Sequence, residues 1–413
     1  MPPLPARAVR RCLATALLAV ASAACGPPGS AAPGAPHDAG APDARDPGDA
    51  AGPLPASTDA RVRDAAAAAD DAGAVICGPS AAPPPGDAAD VHYLALGEVT
   101  IGGASKTSAP VTFALPADVD SFAIAARSPE DASFTIERLE SPSGVMVSDV
   151  RRPGEPPFPP QLFSAHRVIA SQGGAAGAFT QARAAAVPVT GGTYTLRLAA
   201  SAEVVCPVTV DVYYRTRPVQ RGRVTLALYI APGLGAPDTG TMDYHLAAAV
   251  QRVRAIYAAA NVGIDVAHHE VVAALPATTR DIAQVLRAVP RPFVGVPVVV
   301  LREIQGVLGR AGGIPGDPFG AGTALGGIVV SFAPGGHVRS PEQLGWTIAH
   351  ELGHHLGLHH TVEGVLGLPD QLDDTPDPAT RSNLMESGGD GVEISPLQAI
   401  ALRSAAVVRA TLP

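Results

Sequence analysis

Between about residues 91 and 217 the apolar positions recur every second residue. VTFALP (111–116), SFAIAA (121–126), SFTIERL (133–139), TYTLRLAA (193–200) and CPVTVDVYY (206–214) alternate or run apolar, and PSG (142–144) and GG (191–192) punctuate them as turns. No helical stripe interrupts this pattern, which predicts an all-β sandwich. The stretch from about 151 to 185, with RRPGEPPFPP, reads as a loop. Nothing in this region clusters residue types suited to catalysis, so a supporting or binding role is expected of it.

From about residue 218 the period changes. RVTLALYIA (223–231), IDVAHHEVV (264–272), VPVVVLREI (296–304) and TALGGIVVSF (323–332) read as strands. Leu246, Val250, Val253 and Tyr257 recur at helical spacing, and RDIAQVLRAV (280–289) reads as a short helix. A further helix is marked by Ser340 as N-cap, Pro341 at the first helical position and Gln343 closing a capping box, with Leu344, Ile348 and Leu352 on its apolar face. Strands mixed with helices predict an α/β (α+β) domain over 218–413, a twisted sheet backed by helices. The expected fold class is therefore multidomain, a β-sandwich (91–217) followed by this second domain.

The pattern fails altogether before residue 91. Arg7, Arg10 and Arg11 precede CLATALLAVASAAC, an apolar run too short to span a membrane, which reads as a signal peptide over 1–24. The small residues before Cys25 resemble a bacterial lipobox, with Ser22 where a leucine-like residue is usual, and make Cys25 a candidate for lipidation; simple cleavage and secretion is the alternative. Either way the chain is expected to be exported, and any membrane contact is expected through the lipid anchor alone. Residues 25–90 are dominated by Ala, Pro, Asp and Gly and lack the apolar surface to offset their ordering entropy, so they read as a disordered tether. The 44 glycines and 42 prolines, over a fifth of 413 residues, reflect this. A net charge of -9 with 29 Lys plus Arg excludes a basic nucleic-acid surface. Cys12 leaves with the signal; if Cys25 is lipidated, Cys77 and Cys206 remain as a pair in an oxidising compartment.

The candidate chemistry sits in HELGHHLGLHH (350–360). His350 and His354, four apart on a helix, project from one face and suit two nitrogens on one zinc ion. Glu351 is placed to serve as general base toward a water at that ion. Gly357 can take a positive φ, end the helix and turn the chain so that His360 returns as third ligand. His359 competes with His360 for that place, with the glycine-to-histidine spacing favouring His360. His355 points about 100° away and reads as packing or as a donor to a ligand. His268 and His269, adjacent on a strand, face opposite ways and read as sheet-face residues.

The pattern HExxHxxGxxH, with Met385 in SNLMES (382–387), resembles the metzincin zinc endopeptidases. The continuation HTVE (360–363), DDTP (373–376) and NLM are most similar to the pappalysin and ulilysin group. The resemblance covers roughly 222–410 and implies a Zn2+-dependent endopeptidase acting on a peptide or protein substrate. Its implied ligands are His350, His354 and His360, with Glu351 as base and Met385 in a supporting turn. It further implies that a strand before the active helix pairs with extended substrate, where Gly326 and Gly327 would leave room for a close backbone. That group also carries structural calcium: Asp370, Asp373, Asp374 and Asp377 supply hard oxygen ligands for Ca2+, or else only cap a solvated turn. The sequence departs from the family at Ser387, where some members have a tyrosine, and in having no cysteine after Cys206.

Two other readings stand beside it: a gluzincin-type peptidase with Glu363 as third ligand, and a non-enzymatic surface lipoprotein with a structural or vestigial metal site. Cys77 likewise reads two ways, as a disulfide with Cys206 or as a latency switch whose thiolate reaches the metal.

Overall fold

The computed structural model describes Cys77 and residues 90–148, 166–182, 187–234, 239–290, 295–363, 368–375, 382–387 and 391–411. The signal segment, Cys25, the rest of the tether apart from Cys77 and Asp90, and Asp377 lie outside the described residues.

Eleven strands form one antiparallel sheet: β1 (His92–Val99), β2 (Ile101–Gly102), β3 (Thr107–Ser108), β4 (Val111–Leu115), β5 (Ser121–Arg127), β6 (Ser133–Ser141), β7 (Gly144–Ser148), β8 (Ala170–Gln172), β9 (Gly174–Thr180), β10 (Gly192–Ala200) and β11 (Val208–Arg215). Neighbours run β1-β11-β5-β9-β8-β6-β10-β3-β2, with β4 also on β10 and β7 also on β6. The expected sandwich is thus corrected in its topology. Its two layers are one sheet that curls back on itself, joined through the three-residue β8, which pairs with β9 on one side and β6 on the other. The curl closes over an aromatic core. Phe122 stacks on Phe179 at 4.6 Å, Phe113 on Tyr194 at 5.3 Å, and Phe122 meets Tyr194 edge-on at 5.1 Å.

Strands β8 and β9 also correct the loop expected over 151–185. GAAGAFT is a central strand, but its alanines and glycines give no contrast between faces. It needs them because it is covered closely on both sides: a Cβ at Gly177 would lie 2.9 Å from Ile136 of the sheet's own core, and one at Gly174 would lie 2.7 Å from Leu325 of the following chain.

A second, mixed sheet follows, built from β12 (Gly222–Ile230), β13 (Val262–Val271), β14 (Val296–Leu301), β15 (Gly309–Ala311), β16 (Ile328–Ser331) and β17 (Arg409–Ala410). Its order is β13-β12-β14-β16-β15, with β17 also on β12. Strands β12, β13, β14 and β16 pair in parallel, while β15 runs antiparallel on the outer side of β16. VPVVVL of β14 is buried at every position, as a central parallel strand covered on both faces must be.

The helices are α1 (Thr239–Ala258), α2 (Ile282–Arg287), α3 (Pro341–His355) and α4 (Pro396–Ser404). Helices α1 and α3 pack together closely: Tyr257 Oη donates to the Ala349 carbonyl at 2.9 Å, and Gly345 lets the helices meet where a Cβ would come within 2.8 Å of the Ala249 carbonyl. Helix α3 begins as its capping residues predict, with the Ser340 hydroxyl accepting from the Gln343 N–H and the Gln343 side chain reaching back.

Two expectations about TALGGIVVSF are corrected here. Only its second half is a strand, and that strand is interior, flanked by β14 and β15. Residues 323–327 turn tightly instead, and the glycines serve packing. A Cβ on Gly326 would lie 1.8 Å from the Gly320 carbonyl oxygen, and one on Gly327 (φ +144°) would lie 2.6 Å from the Pro297 carbonyl oxygen. Neither leaves room for a substrate backbone.

Candidate metal centre and active site

Helix α3 carries His350, Glu351 and His354, all buried. Gly357, at φ +103°, ends it. The Gly357 N–H donates to the His354 carbonyl and the Leu358 N–H to the Gly353 carbonyl, both at 2.9 Å, a glycine-capped helix end. The chain then doubles back and brings His360 onto the two helix histidines. Its Nε2 lies 3.2 Å from that of His350 and 3.1 Å from that of His354.

The remaining ring nitrogens show what these atoms are prepared for. His350 Nδ1 lies 2.7 Å from the Leu384 carbonyl oxygen and His354 Nδ1 lies 2.8 Å from that of Leu358. A carbonyl only accepts, so both Nδ1 atoms carry hydrogen, and the Nε2 atoms of the neutral rings then present lone pairs to one point. Burial, then the neighbouring His360 and His350, hold the His354 imidazole well below its ordinary value and keep it neutral, the state that ligates metals. Donors at about 2.0–2.1 Å from a tetrahedral zinc lie roughly 3.3 Å apart. The observed spacings fit that donor set. Among the described residues His350, His354 and His360 are the group that can hold a metal ion, with no fourth protein ligand. His359 is buried but outside the group, and the side chain of Glu363 lies outside the described residues.

Glu351 follows His350 on the helix, is buried, and feels the charge of the His350 ring. Burial raises its carboxyl above the ordinary carboxylate value, opposed by His350, by an N–H bond from Ala311 and by Arg310. Ala311 and Arg310 belong to β15, the edge strand, so β15 runs alongside the carboxylate. Gly309 permits this approach, since a Cβ there would fall 2.7 Å from Glu351 Cγ. Neither β15 nor Gly309 was marked by the sequence pattern, because three residues are too few to show a period.

The methionine turn sits directly under the helix. Met385 is fully buried, and a Cβ at Gly353 would lie 2.6 Å from its Sδ. The turn is braced by Asn383 and Gln398, whose amides bond each other twice at 3.0 and 3.1 Å, and by the Asn383 Oδ1 accepting from the Met385 N–H. It acts on the histidines through backbone: Leu384 offers its carbonyl to His350, and Met385 accepts from the Thr361 N–H at 3.0 Å. Gly353 fills a position the zinc motif leaves open, so no signal in the motif singles it out.

The other candidates fall elsewhere. His355 is packed at the foot of the helix, where burial pushes its ring down to about 4 against the pull of Asp317. His268 on β13 sits 3.0 Å from Glu270 and against the ring of Tyr229 from β12, outside the metal group. Two of the calcium candidates, Asp370 and Asp374, are engaged in hydrogen bonds of their own. Asp370 accepts from the Leu372 N–H and the Thr375 hydroxyl, closing its own turn. Asp374 accepts from the Ser395 hydroxyl and the Leu397 N–H, capping α4. Asp373 is exposed, and no group of carboxylates converges among the described residues. The bonds to Asp370 Oδ1 and to both oxygens of Asp374 shape the loop. Ser387 is exposed. Cys77 is bonded to Cys206, with Cα atoms 5.4 Å apart, so its sulfur is not a thiolate that can reach the metal group.

No protein-family model matches this chain, and no curated protein matches it. Among solved structures, metalloproteinase-II from Bacteroides fragilis is similar at a TM-score of 0.30 and 11% identity, over 47% of this chain and 62% of that one. The structure of a chaperone–substrate complex is similar at a TM-score of 0.29 and 14% identity, over 45% of this chain and 34% of that one. The chain thus spans less than two thirds of either match.

Proposed function

We propose that the chain is a zinc-dependent endopeptidase, with residues 218–413 as its catalytic domain and the curled antiparallel sheet as a supporting domain. The observation that carries this is the convergence of three buried imidazole nitrogens, with Glu351 buried on the same helix next to His350. His350, His354 and His360 would hold a zinc ion, which would supply Lewis acidity toward a peptide carbonyl and a water. Glu351 would take the proton of the attacking water and pass it to the leaving amine. That no fourth ligand joins the three histidines among the described residues favours this over a purely structural metal site. The substrate strand is reassigned from Gly326 and Gly327 to β15, whose outer edge lies beside Glu351 and can pair with an extended peptide. The Cys77–Cys206 disulfide supports export to an oxidising compartment, where lipidation at Cys25 would anchor the chain.

The test is cleavage of a mixed peptide library by the zinc-loaded protein, read by mass spectrometry. Cleavage lost on chelation and in Glu351→Ala is the expected result. A Glu351→Ala protein that cleaves as the wild type does removes the proposed mechanism.

A further inference from the structure

The foot of helix α3 does not rest on its own sheet alone. The last four carbonyls of a helix lack partners within it. That of His355, next to the ligand His354, accepts from the Gly316 N–H at 2.9 Å. Gly316 belongs to the segment 312–327, which lies so close that a Cβ at Gly316 would fall 1.8 Å from His355 Nδ1. This segment is held from the antiparallel sheet. Asp317, the next residue, is buried and accepts from both Nε and Nη2 of Arg127 on β5, the second bond at 2.9 Å. Arg127 is itself fixed by Asp211 and by the Tyr213 hydroxyl on β11. Burial works against its charge, but Asp317, Tyr213 and Asp211 outweigh it and hold Arg127 above its ordinary value. Leu325, in the same segment, packs onto Gly174 of β9.

A second contact reaches the third ligand. The turn at Gly357, which returns His360 to the site, abuts β9 at Ala178. A Cβ at Gly357 would be 3.1 Å from the Ala178 Cβ. Both anchors thus fall on the C-terminal end of α3, where the chain must reverse within six residues to bring its last ligand home. Separating the partners of a buried ion pair leaves an uncompensated buried charge, which favours the one arrangement in which Arg127 meets Asp317, and a three-histidine site depends on such an arrangement.

We propose that Arg127, Asp317 and Ala178 are positioning residues of the metal centre, so that the antiparallel sheet is a working wall of the site. The inference rests on the reading of His350, His354 and His360 as metal ligands. It assigns to the antiparallel sheet the geometry of those ligands, acting through the Gly316–His355 bond and the Gly357 turn.

The test is titration of the metal-free full-length protein with Co2+, followed by visible absorption. Three variants are compared with wild type: Asp317→Asn, which keeps shape and removes the charge; Ala178→Val, which leaves the ion pair intact and crowds the turn; and Arg138→Gln, in the exposed Arg138–Glu140 pair of the same sheet. The expected result is Co2+ affinity lowered at least about tenfold in the first two, the lower end for losing a group that orients ligands, with altered absorption bands and a cooperative melt retained. Arg138→Gln should match wild type. Wild-type affinity and spectrum in folded Ala178→Val and Asp317→Asn overturn the proposal while leaving the metal centre standing. If Asp317→Asn does not fold, Ala178→Val decides alone. A wild-type protein that binds no Co2+ overturns the metal reading, and this inference with it.

Discussion

Gly357→Ala is the most exacting single change the structure offers. The residue sits at φ +103°, outside the regions open to L side chains, where a non-glycine residue costs about 1–3 kcal/mol. The new methyl would also stand 3.1 Å from Ala178 Cβ, inside the ordinary carbon–carbon contact of about 3.5–4.0 Å. Overpacking of this kind adds about 1–3 kcal/mol. A total near the middle of these ranges, about 4 kcal/mol, corresponds to roughly a thousandfold in an equilibrium constant. If the turn keeps its shape, the cost appears as lost stability; if it relaxes, His360 moves and the cost appears as lost metal affinity. Both must therefore be measured, by chemical denaturation of the metal-free protein and by competition for zinc with a chelating dye. The second substitution Ala178→Gly should return the packing part of the loss and leave the strain, a coupling that a double-mutant cycle reads directly. Stability and zinc affinity both within threefold of wild type in Gly357→Ala would falsify the assignment of this glycine as the bend that returns the third ligand.

Three further outcomes follow from the geometry. Met385→Ala, which empties a fully buried site under Gly353, should cost about 2–5 kcal/mol in denaturant melts, and Met385→Leu under about 1.5 kcal/mol; equal losses would mean that the sulfur matters beyond packing. Cys206→Ser, opening a link between residues 129 apart in sequence, should lower stability by about 2–5 kcal/mol, and reducing agent should affect wild type but not the variant. Asp90 is half-buried: burial raises its carboxyl, but the Ala410 N–H and the Arg215 guanidinium outweigh it and leave it below its ordinary value of 3.8. Its contribution to stability is therefore complete above that value and disappears as pH falls below it through the folded-state value. Asp90→Asn should flatten that part of the stability profile, and an unchanged acid limb would show that the pair does not couple to folding.

Much of the site was legible in the chain because its residues are local. His350, Glu351, His354, Gly357 and His360 lie within eleven positions, and helix periodicity with one glycine is enough to place them. The capping box at Ser340 and Gln343 and the buried run of β14 were legible for the same reason, since each signal is contained in a few neighbouring residues. The fold was legible where side chains alternate strongly, and illegible in GAAGAFT, where small residues on both faces erase the alternation. The acidic loop was less legible, because a carboxylate's type says nothing about which backbone N–H groups it meets, as Asp370 and Asp374 do.

What the sequence determined alone, then, was the identity and spacing of the groups that can do chemistry. Only the tertiary structure decided which strand lies at the edge beside Glu351, that the sandwich is one curled sheet, and that Arg127 reaches Asp317 across 190 positions. The physical reason is that a period or a motif is a property of consecutive residues. Pairing, closure and burial instead depend on which distant surfaces are small enough, or oppositely charged enough, to meet.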